Sequence, residues 1–270
     1  RVHKDKVLQQ SRSKEMAEVF TPSWICNAQN NLIDNAWFGK EGVFNQEKAL
    51  SDGTKGWEVN TDKITFPKGK TWRDYVRDTR LEIACGEAPY ITSRYDSTTG
   101  DFIPIQNRIG ILDRKLRVIN ENADSTGEWL KAAQTAYKNT YAFEWQGDSL
   151  LLAREAMLAT FIENYTVKFD KEPLLKSIQY IAYIISWNVW QMDGLKGVIP
   201  NSCGHKTETS VNLFGETETK HTFCVGCEKG NILKHNGTYA LIKDWSNKDS
   251  KTGKTGRKIR FIDLLNNRGK

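Results

Sequence analysis

Long apolar runs are missing from this sequence of 270 residues. The most apolar region, from Ile178 to Trp190, is interrupted by Gln179, Ser186 and Asn188. It therefore falls short of the roughly eighteen residues expected of a membrane-spanning helix. The opening residues, Arg-Val-His-Lys-Asp-Lys, are followed by no apolar signal segment. We expect no membrane span and a cytoplasmic protein.

Cysteine is also sparse, with five residues in the whole chain. Cys26 and Cys85 stand singly in apolar surroundings, which is not the pattern of a disulfide framework. The other three, Cys203, Cys224 and Cys227, lie close together along the chain. This spacing favours a metal site over disulfide bonds.

The net charge of +6, with a pI of about 8.9, is a mild excess that suits an acidic partner or an ordinary solvated surface equally well. The position of the basic residues is more informative, because many of them crowd the end of the chain among Gly, Ser and Thr. They are Lys248, Lys251, Lys254, Arg257, Lys258, Arg260, Arg268 and Lys270. The cluster predicts a phosphate-seeking tail or linker.

Apolar periodicity predicts strands alternating with helices. The strands are expected at 81–85, 140–144 and 187–190, and the helices between or beside them at 71–78, 109–122, 128–139, 150–165 and 174–185. This alternation indicates an α/β fold with a parallel sheet and helices on both faces. In such folds the ligand binds beyond the carboxyl ends of the strands.

Changes in composition and apolar periodicity along the chain divide it into four predicted segments. Residues 1–70 form an N-terminal helical segment, with a turn at Thr21-Pro22 and a turn-rich stretch over 39–70. Residues 71–200 form the α/β core. Residues 201–240, rich in Cys, His, Gly and Thr, form a small hairpin-like insertion, and 241–270 are the basic C-terminal segment.

Two short motifs stand about sixty residues apart. Glu-Val-Phe-Thr-Pro occupies 18–22, and Leu-Glu-Ile-Ala-Cys-Gly-Glu-Ala-Pro-Tyr occupies 81–90. Together, in this order, they resemble the paired signature of the N6-adenine DNA methyltransferases of restriction-modification systems. The resemblance covers roughly residues 14–195, and it implies a Rossmann-like sheet that binds S-adenosylmethionine (SAM) and a double-stranded DNA partner.

The resemblance also implies roles for particular residues. Phe20, Thr21 and Pro22 would cover the cofactor, and the loop after the first core strand would hold its methionine part through Glu82, Ala84, Cys85, Gly86 and Glu87. Glu144 would accept hydrogen bonds from the ribose hydroxyls, with Asp148 as the alternative or as a helix cap. Asp193, in a segment similar to the family's Asn-Ile-x-x-x-Asp-x-Leu, would bind the adenine amino group or simply end its strand in an Asp-Gly turn.

Departures from the family pattern are as clear as the agreements. The family usually has a second glycine at the position of Ala88, and Pro89 stiffens the same loop. The family's catalytic segment, a polar residue followed by Pro-Pro and an aromatic residue, is absent, since none of the six prolines is adjacent to another. No catalytic residue is therefore assigned. A chain cut short before the motif, a partner subunit that supplies it, or a protein that has lost methyl transfer would each explain the gap.

The cysteine cluster predicts a zinc site of the ribbon type. Cys-x2-Cys at Cys224 and Cys227 is typical of a zinc knuckle, and Cys203 lies on the other side of the predicted hairpin. His205 is the favoured fourth ligand and His235 the alternative. Four protein ligands leave no open position for water, so the predicted zinc is structural.

Overall fold

The computed structural model describes residues 6–16, 18–51, 53–253 and 255–267. The chain divides into two compact units. The first contains Arg1–Ala142 and Gln146–Val189, and the second contains Phe143–Trp145 and Trp190–Lys270. Among the described residues, no helix combines the length and the apolar character needed to cross a membrane.

The first unit is mainly helical. Its helices are α1 (Lys6–Met16), α2 (Ser23–Phe38), α3 (Trp72–Arg77), α4 (Ile111–Asn122), α5 (Thr126–Lys138), α6 (Gly147–Phe169) and α7 (Leu175–Asn188). Pro22 immediately precedes α2, where its fixed φ and missing N–H cost nothing. The C-terminal end of α2 is closed by Gly39, whose φ of 68° is the left-handed conformation that glycine adopts freely.

Three parallel strands form the central sheet in the order β3-β4-β5. They are β3 (Arg80–Ile83), β4 (Thr140–Glu144) and β5 (Val189–Gln191). Asn188 supports this sheet from the end of α7, because its buried side-chain amide donates to the carbonyls of Tyr137 and Thr140 at 2.9 and 3.1 Å. The predicted α/β class with a parallel sheet is confirmed.

Buried aromatic side chains fill the helical layer of the first unit. Trp129 of α5 and Phe161 of α6 are fully buried, with ring centroids 5.6 Å apart, and Tyr137 meets Phe161 edge-on at 6.1 Å. The Tyr137 hydroxyl donates to the Met157 carbonyl at 2.7 Å, so its one polar atom is satisfied inside the core. This packing joins α5 to α6.

The stretch over 39–70 is more ordered than its sequence predicts. It contains an antiparallel hairpin of β1 (Asn45–Ala49) and β2 (Lys55–Val59). The strand β1 buries only its first residue and exposes the other four. A strand that presents so little apolar surface gives no alternating pattern, which explains why it was missed.

Two antiparallel hairpins dominate the second unit. The strands β6 (Lys206–Val211) and β7 (Thr217–Thr222) form the predicted hairpin, and the short helix α8 (Val225–Lys229) follows it. The strands β8 (Leu241–Lys248) and β9 (Thr255–Arg260) form the other, and a 3-10 segment covers Phe261–Asn267. Phe143 packs on Phe261, with 4.5 Å between ring centroids.

The expected basic tail or linker is therefore wrong over its described part, because those residues lie in the paired strands β8 and β9 and their connecting turn. These strands contain so many charged and polar residues that no alternation of apolar and polar positions is visible in the sequence. Ile242 and Trp245 are the buried apolar side chains of β8. Lys254, Arg268 and Lys270 lie outside the described residues.

Candidate functional site

Four side chains of the second unit form a cluster of metal-ligating atoms. The sulfurs of Cys203, Cys224 and Cys227 and one ring nitrogen of His235 all lie within 4.8 Å of one another. Cys203 precedes the β6–β7 hairpin, Cys224 and Cys227 flank the start of α8, and His235 lies in the following loop. This group could bind a metal ion.

The distances within the cluster fit a tetrahedral zinc ion. The Nδ1 of His235 lies 3.7, 3.5 and 3.6 Å from the sulfurs of Cys203, Cys224 and Cys227, and the sulfurs of Cys203 and Cys227 are 3.7 Å apart. Ideal zinc–sulfur and zinc–nitrogen bonds at tetrahedral angles give edges of about 3.8 Å between sulfurs and about 3.6 Å between sulfur and nitrogen. Four of the six distances within the cluster therefore match those around a tetrahedral zinc ion.

Two glycines make this close approach possible. A Cβ on Gly226 would lie 2.6 Å from the backbone nitrogen of His235 and 2.7 Å from its Nδ1. A Cβ on Gly237 would lie 2.6 Å from the Cβ of Cys203. Either contact is too short for a side chain to occupy. The turns on both sides of the cluster are therefore built around the absence of a side chain.

Backbone N–H groups stabilise a thiolate at Cys224. Burial alone would raise the pKa of this thiol, but hydrogen bonds from the backbone of Asn236 and Cys227 and from His235 outweigh it and lower the pKa to about 6. The N–H of Asn236 lies 3.4 Å from the sulfur. Since the thiolate is the metal-binding form of cysteine, the fold prepares Cys224 as a ligand.

The fourth side chain of the cluster is His235, and His205, which the sequence favoured, lies outside it. His205 is exposed, and its ring meets the ring of Phe223 edge-on at 4.8 Å. It stands immediately before β6, and the start of the hairpin directs it to Phe223 instead of the cysteines. Nearness to Cys203 in sequence favoured His205, but the loop after α8 returns His235 to the cluster.

In the first unit, the two motifs that carry the family resemblance meet. Burial raises the pKa of the Tyr90 hydroxyl, and the side chains of Thr21 and Cys26 are close enough to influence it. The backbone is tied as well, since Asn30 of α2 donates to the carbonyl of Tyr90 at 3.0 Å. Residues some sixty positions apart are thereby fixed at one junction.

Cys26 is buried at this junction, and its thiol is unreactive. Burial raises the pKa of its thiol to about 12, and the negative charges of Glu82 and Asp96 act in the same direction. A thiol with so high a pKa stays protonated at neutral pH and is a poor nucleophile. Its role is to pack.

Asp96 and Ser97 hold the Thr-Pro turn from the other side. The N–H of Ser23 donates to the Asp96 carboxylate at 2.7 Å, which supplies the helix cap that Pro22 cannot provide. The hydroxyl of Ser97 donates to the carbonyl of Thr21 at 2.6 Å. Nothing in the periodicity of the sequence signals this long-range cap.

Glu18 links the first motif to the start of α6. Its side chain is buried, with 8% of the residue exposed, and it accepts a 3.0 Å hydrogen bond from Ser149 and an ion pair from Arg12. Arg12 also pairs with Asp148 at 2.9 Å. Asp148 lies in the first turn of α6, and the N-cap position of that helix is occupied by Gln146.

The loop after β3 departs from ordinary backbone conformation. Ala84, Gly86 and Ala88 have φ values of 56°, 54° and 61°. Glycine adopts this left-handed region freely, whereas each alanine there costs about 1–2 kcal/mol. Ala88, which stands where the family usually has glycine, therefore takes a glycine-like conformation. Strain of this kind is concentrated at ligand-binding turns.

The acidic residues at the ends of the other two strands lie in the second unit. Glu144 is buried, and its carbonyl accepts from the N–H of Met192 at 2.9 Å. Asp193 is 5% exposed, and its Oδ1 accepts from the N–H groups of Leu195 and Lys196 at 3.0 and 3.1 Å. Asp193 thus closes the turn that follows β5, while Oδ2 lies 3.7 Å from the Lys196 ammonium.

A second acidic centre, which the sequence did not reveal, lies at the start of α4. The fully buried Asp113 accepts from the N–H and hydroxyl of Ser93 at 2.8 and 3.1 Å and from the N–H of Gly110 at 3.2 Å. Burial raises its pKa to about 6 in spite of these bonds and of the nearby Arg108 charge. Asp113 anchors the end of the β3 loop to α4.

Comparison with models of protein families, with curated proteins and with solved structures finds no match to this chain.

Proposed function

We propose that this chain is the SAM-binding part of a DNA adenine-N6 methyltransferase of the restriction-modification type, built on a Rossmann-like sheet with helices on both faces. The observation that carries the proposal is the junction at Tyr90. Asn30 of α2, the helix that begins directly after the first motif, donates to the Tyr90 carbonyl at 3.0 Å, so the two segments that resemble the family's paired signature lie together in one unit.

The strained loop after β3 supports the same assignment. Three left-handed residues within five positions turn the backbone sharply beyond a parallel strand, which is where α/β folds bind nucleotides and related cofactors. In the proposed complex, Glu82, Ala84, Cys85, Gly86 and Glu87 hold the methionine part of SAM. Phe20, Thr21 and Pro22 cover it.

On the family resemblance, Glu144 and Asp193 are proposed to bind the ribose hydroxyls and the adenine amino group. Both are buried carboxylates at the ends of sheet strands, and a carboxylate accepts two hydrogen bonds without donating one. When bound, SAM supplies the methyl group and the sulfonium leaving group. The chain's own residues bind and orient the cofactor.

The metal cluster is proposed to hold a structural Zn²⁺ through Cys203, Cys224, Cys227 and His235. Three thiolates and one imidazole fill all four tetrahedral positions, so no position is left for a water molecule that could be activated. The proposed task of the ion is to fix the loops around the β6–β7 hairpin in a unit with few large buried side chains.

A second candidate function is a DNA-binding subunit that keeps the methyltransferase scaffold without its activity. The absence of a Pro-Pro-aromatic segment from the sequence favours it. In the family resembled here, that segment holds the flipped adenine, and a chain without it needs a partner subunit or a further segment to act. Both candidates predict DNA binding, and they differ in whether SAM binds.

Calorimetric titration of the whole chain with SAM, with and without duplex DNA, tests the proposal. Wild-type chain should bind SAM, and Asn30→Ala, which removes the amide that ties α2 to the Tyr90 carbonyl, should weaken binding up to about tenfold, the equivalent of one hydrogen bond. Gln29→Ala, at the neighbouring exposed position of α2, is the matched control and should bind as wild type. A folded chain that binds DNA but not SAM would contradict the proposal and favour the second candidate.

A further inference from the structure

Positive charge is concentrated in one short part of the chain. Residues 248–258 contain five Lys or Arg and one Asp, a net charge of +4 within eleven residues, whereas the whole chain carries +6. The described residues of this range form the end of β8, the turn over 249–253 and the first part of β9. Most of the excess charge of the molecule is therefore carried by one hairpin, here called the basic ribbon (residues 241–260).

The carboxylates of the basic ribbon are occupied by local bonds. Asp249 accepts from the N–H groups of Lys251 and Thr252 at 3.0 and 2.9 Å, which folds its charge into the turn. Asp244 accepts from Ser246 and Asn247 and lies 3.7 Å from Arg257. These bonds lower the pKa of both carboxyls although burial opposes the shift, and the acids stabilise the turn and strand.

The cations of the turn point the other way, toward solvent. Lys248 and Lys251 are exposed, and neither forms an ion pair among the residues that the structure describes. Arg257 keeps 51% of its side chain exposed although it lies near Asp244. Two exposed ammonium groups at a hairpin tip, without an ion pair to any carboxylate in the described part of the chain, can attract an external anion.

Side-chain packing holds the two strands of the basic ribbon together. Gly256, with φ of 100°, lets the ring of Trp245 and the stem of Lys243 pack directly on β9, since a Cβ there would lie 2.9 Å from the ring. Trp245 is 8% exposed. This packing anchors the strands below the turn that carries the exposed lysines.

We propose that the basic ribbon contacts the phosphate backbone of double-stranded DNA through Lys248 and Lys251. The inference rests on the proposed function only in taking DNA as the partner. A lipid surface fits less well, because the turn over 249–253 is Asp-Ser-Lys-Thr-Gly and offers no large apolar side chain to insert into a bilayer. A two-stranded ribbon is also narrow enough to follow a groove of DNA.

The test is the salt dependence of duplex binding by the whole chain, measured by fluorescence anisotropy between about 50 and 200 mM salt. Each phosphate contact contributes about 0.9 to the slope of log affinity against log salt concentration. Lys248→Gln/Lys251→Gln should lower that slope by about 1.8. The control Lys68→Gln/Lys176→Gln removes the same charge from exposed positions in the first unit and should leave the slope unchanged.

Equal slopes in the two double variants, or no duplex binding by wild-type chain, would overturn the inference. Binding to phosphatidylserine vesicles in place of DNA would overturn it as well. SAM titration of the same variants tests the proposed function separately from the ribbon. A ribbon variant that loses DNA contacts but binds SAM normally supports both the ribbon proposal and the proposed function. If the wild-type chain binds SAM but the ribbon variant leaves the salt dependence unchanged, only the ribbon proposal is refuted.

Discussion

Replacing His235 by alanine should weaken metal binding far more than the same replacement of His205. The Nδ1 of His235 lies 3.5 to 3.7 Å from three cysteine sulfurs, while the ring of His205 contacts Phe223. The first change removes a ligand and leaves three thiolates around an open position. The second changes an exposed ring contact of the hairpin and leaves all four ligands in place.

The magnitude follows from the role of each group. Loss of a residue that only supports a metal ligand costs about 10- to 100-fold in affinity, so loss of a ligand should exceed about 100-fold, or about 2.8 kcal/mol. Because metal binding is coupled to folding, the same free energy should be missing from the stability of the second unit. For His205→Ala we expect a metal affinity within about threefold of wild type, or about 0.7 kcal/mol.

The assay is competition for zinc against a chromogenic chelator, with the metal content of each purified protein measured alongside. Wild-type chain and His205→Ala should each hold about one zinc ion, the single tetrahedral site that the four ligands define. Cys224→Ser/Cys227→Ser serves as the metal-free reference. Equal zinc affinity of the two histidine variants, or a greater loss in His205→Ala, would refute the assignment of His235. A folded wild-type chain without metal would refute the site itself.

Three further changes test the geometry around the two candidate sites. Gly226→Ala should lower zinc affinity at least tenfold by displacing His235, and the same assay would contradict this if the affinity were unchanged. Asp193→Asn should weaken SAM binding in calorimetry without lowering the melting temperature, since the amide oxygen can still accept the turn N–H groups; unaltered affinity would remove Asp193 from the cofactor contacts. Burial raises the pKa of Asp113 to about 6, above the roughly 3.9 of an unfolded carboxyl, so the folded state resists ionisation of this group. Ionisation therefore costs no stability below about pH 4, and it lowers the free energy of unfolding by about 3 kcal/mol above about pH 6. Asp113→Asn should therefore gain stability over wild type as the pH rises from 4 to 7 in urea unfolding, and a constant difference would refute the shift.

The elements of the α/β core were predictable because burial imposes a pattern on them. The expected strand at 140–144 coincides with β4, where four of the five residues are buried, and the expected helix at 109–122 differs from α4 by two residues at its start. The hairpin β1–β2 and the basic ribbon expose most of their side chains. Their order comes from pairing, caps and a few distant contacts, which leave no periodic signal in the sequence.

The metal site was predictable in its chemistry and not in its geometry. Three cysteines and a histidine are the ligand types of a zinc ribbon, and Cys-x2-Cys fixes two of them on one turn. The choice between His205 and His235 depends on how the chain returns after α8. Gly226 and Gly237, which permit that return, look like ordinary loop glycines until the distances to His235 and Cys203 are known.

The metal cluster and the basic ribbon are connected through Tyr239. Its hydroxyl accepts from the N–H of His235 at 2.8 Å and donates to the carbonyl of Ile232 at 3.0 Å, and the guanidinium of Arg260 lies over its ring at 4.9 Å. One side chain thus joins a metal ligand to the end of β9. A metal ion that fixes His235 also fixes Tyr239 and, through it, the base of the ribbon. Under the two proposals, the ion would contribute to DNA binding through the base of the ribbon, without any contact between the ion and the nucleic acid.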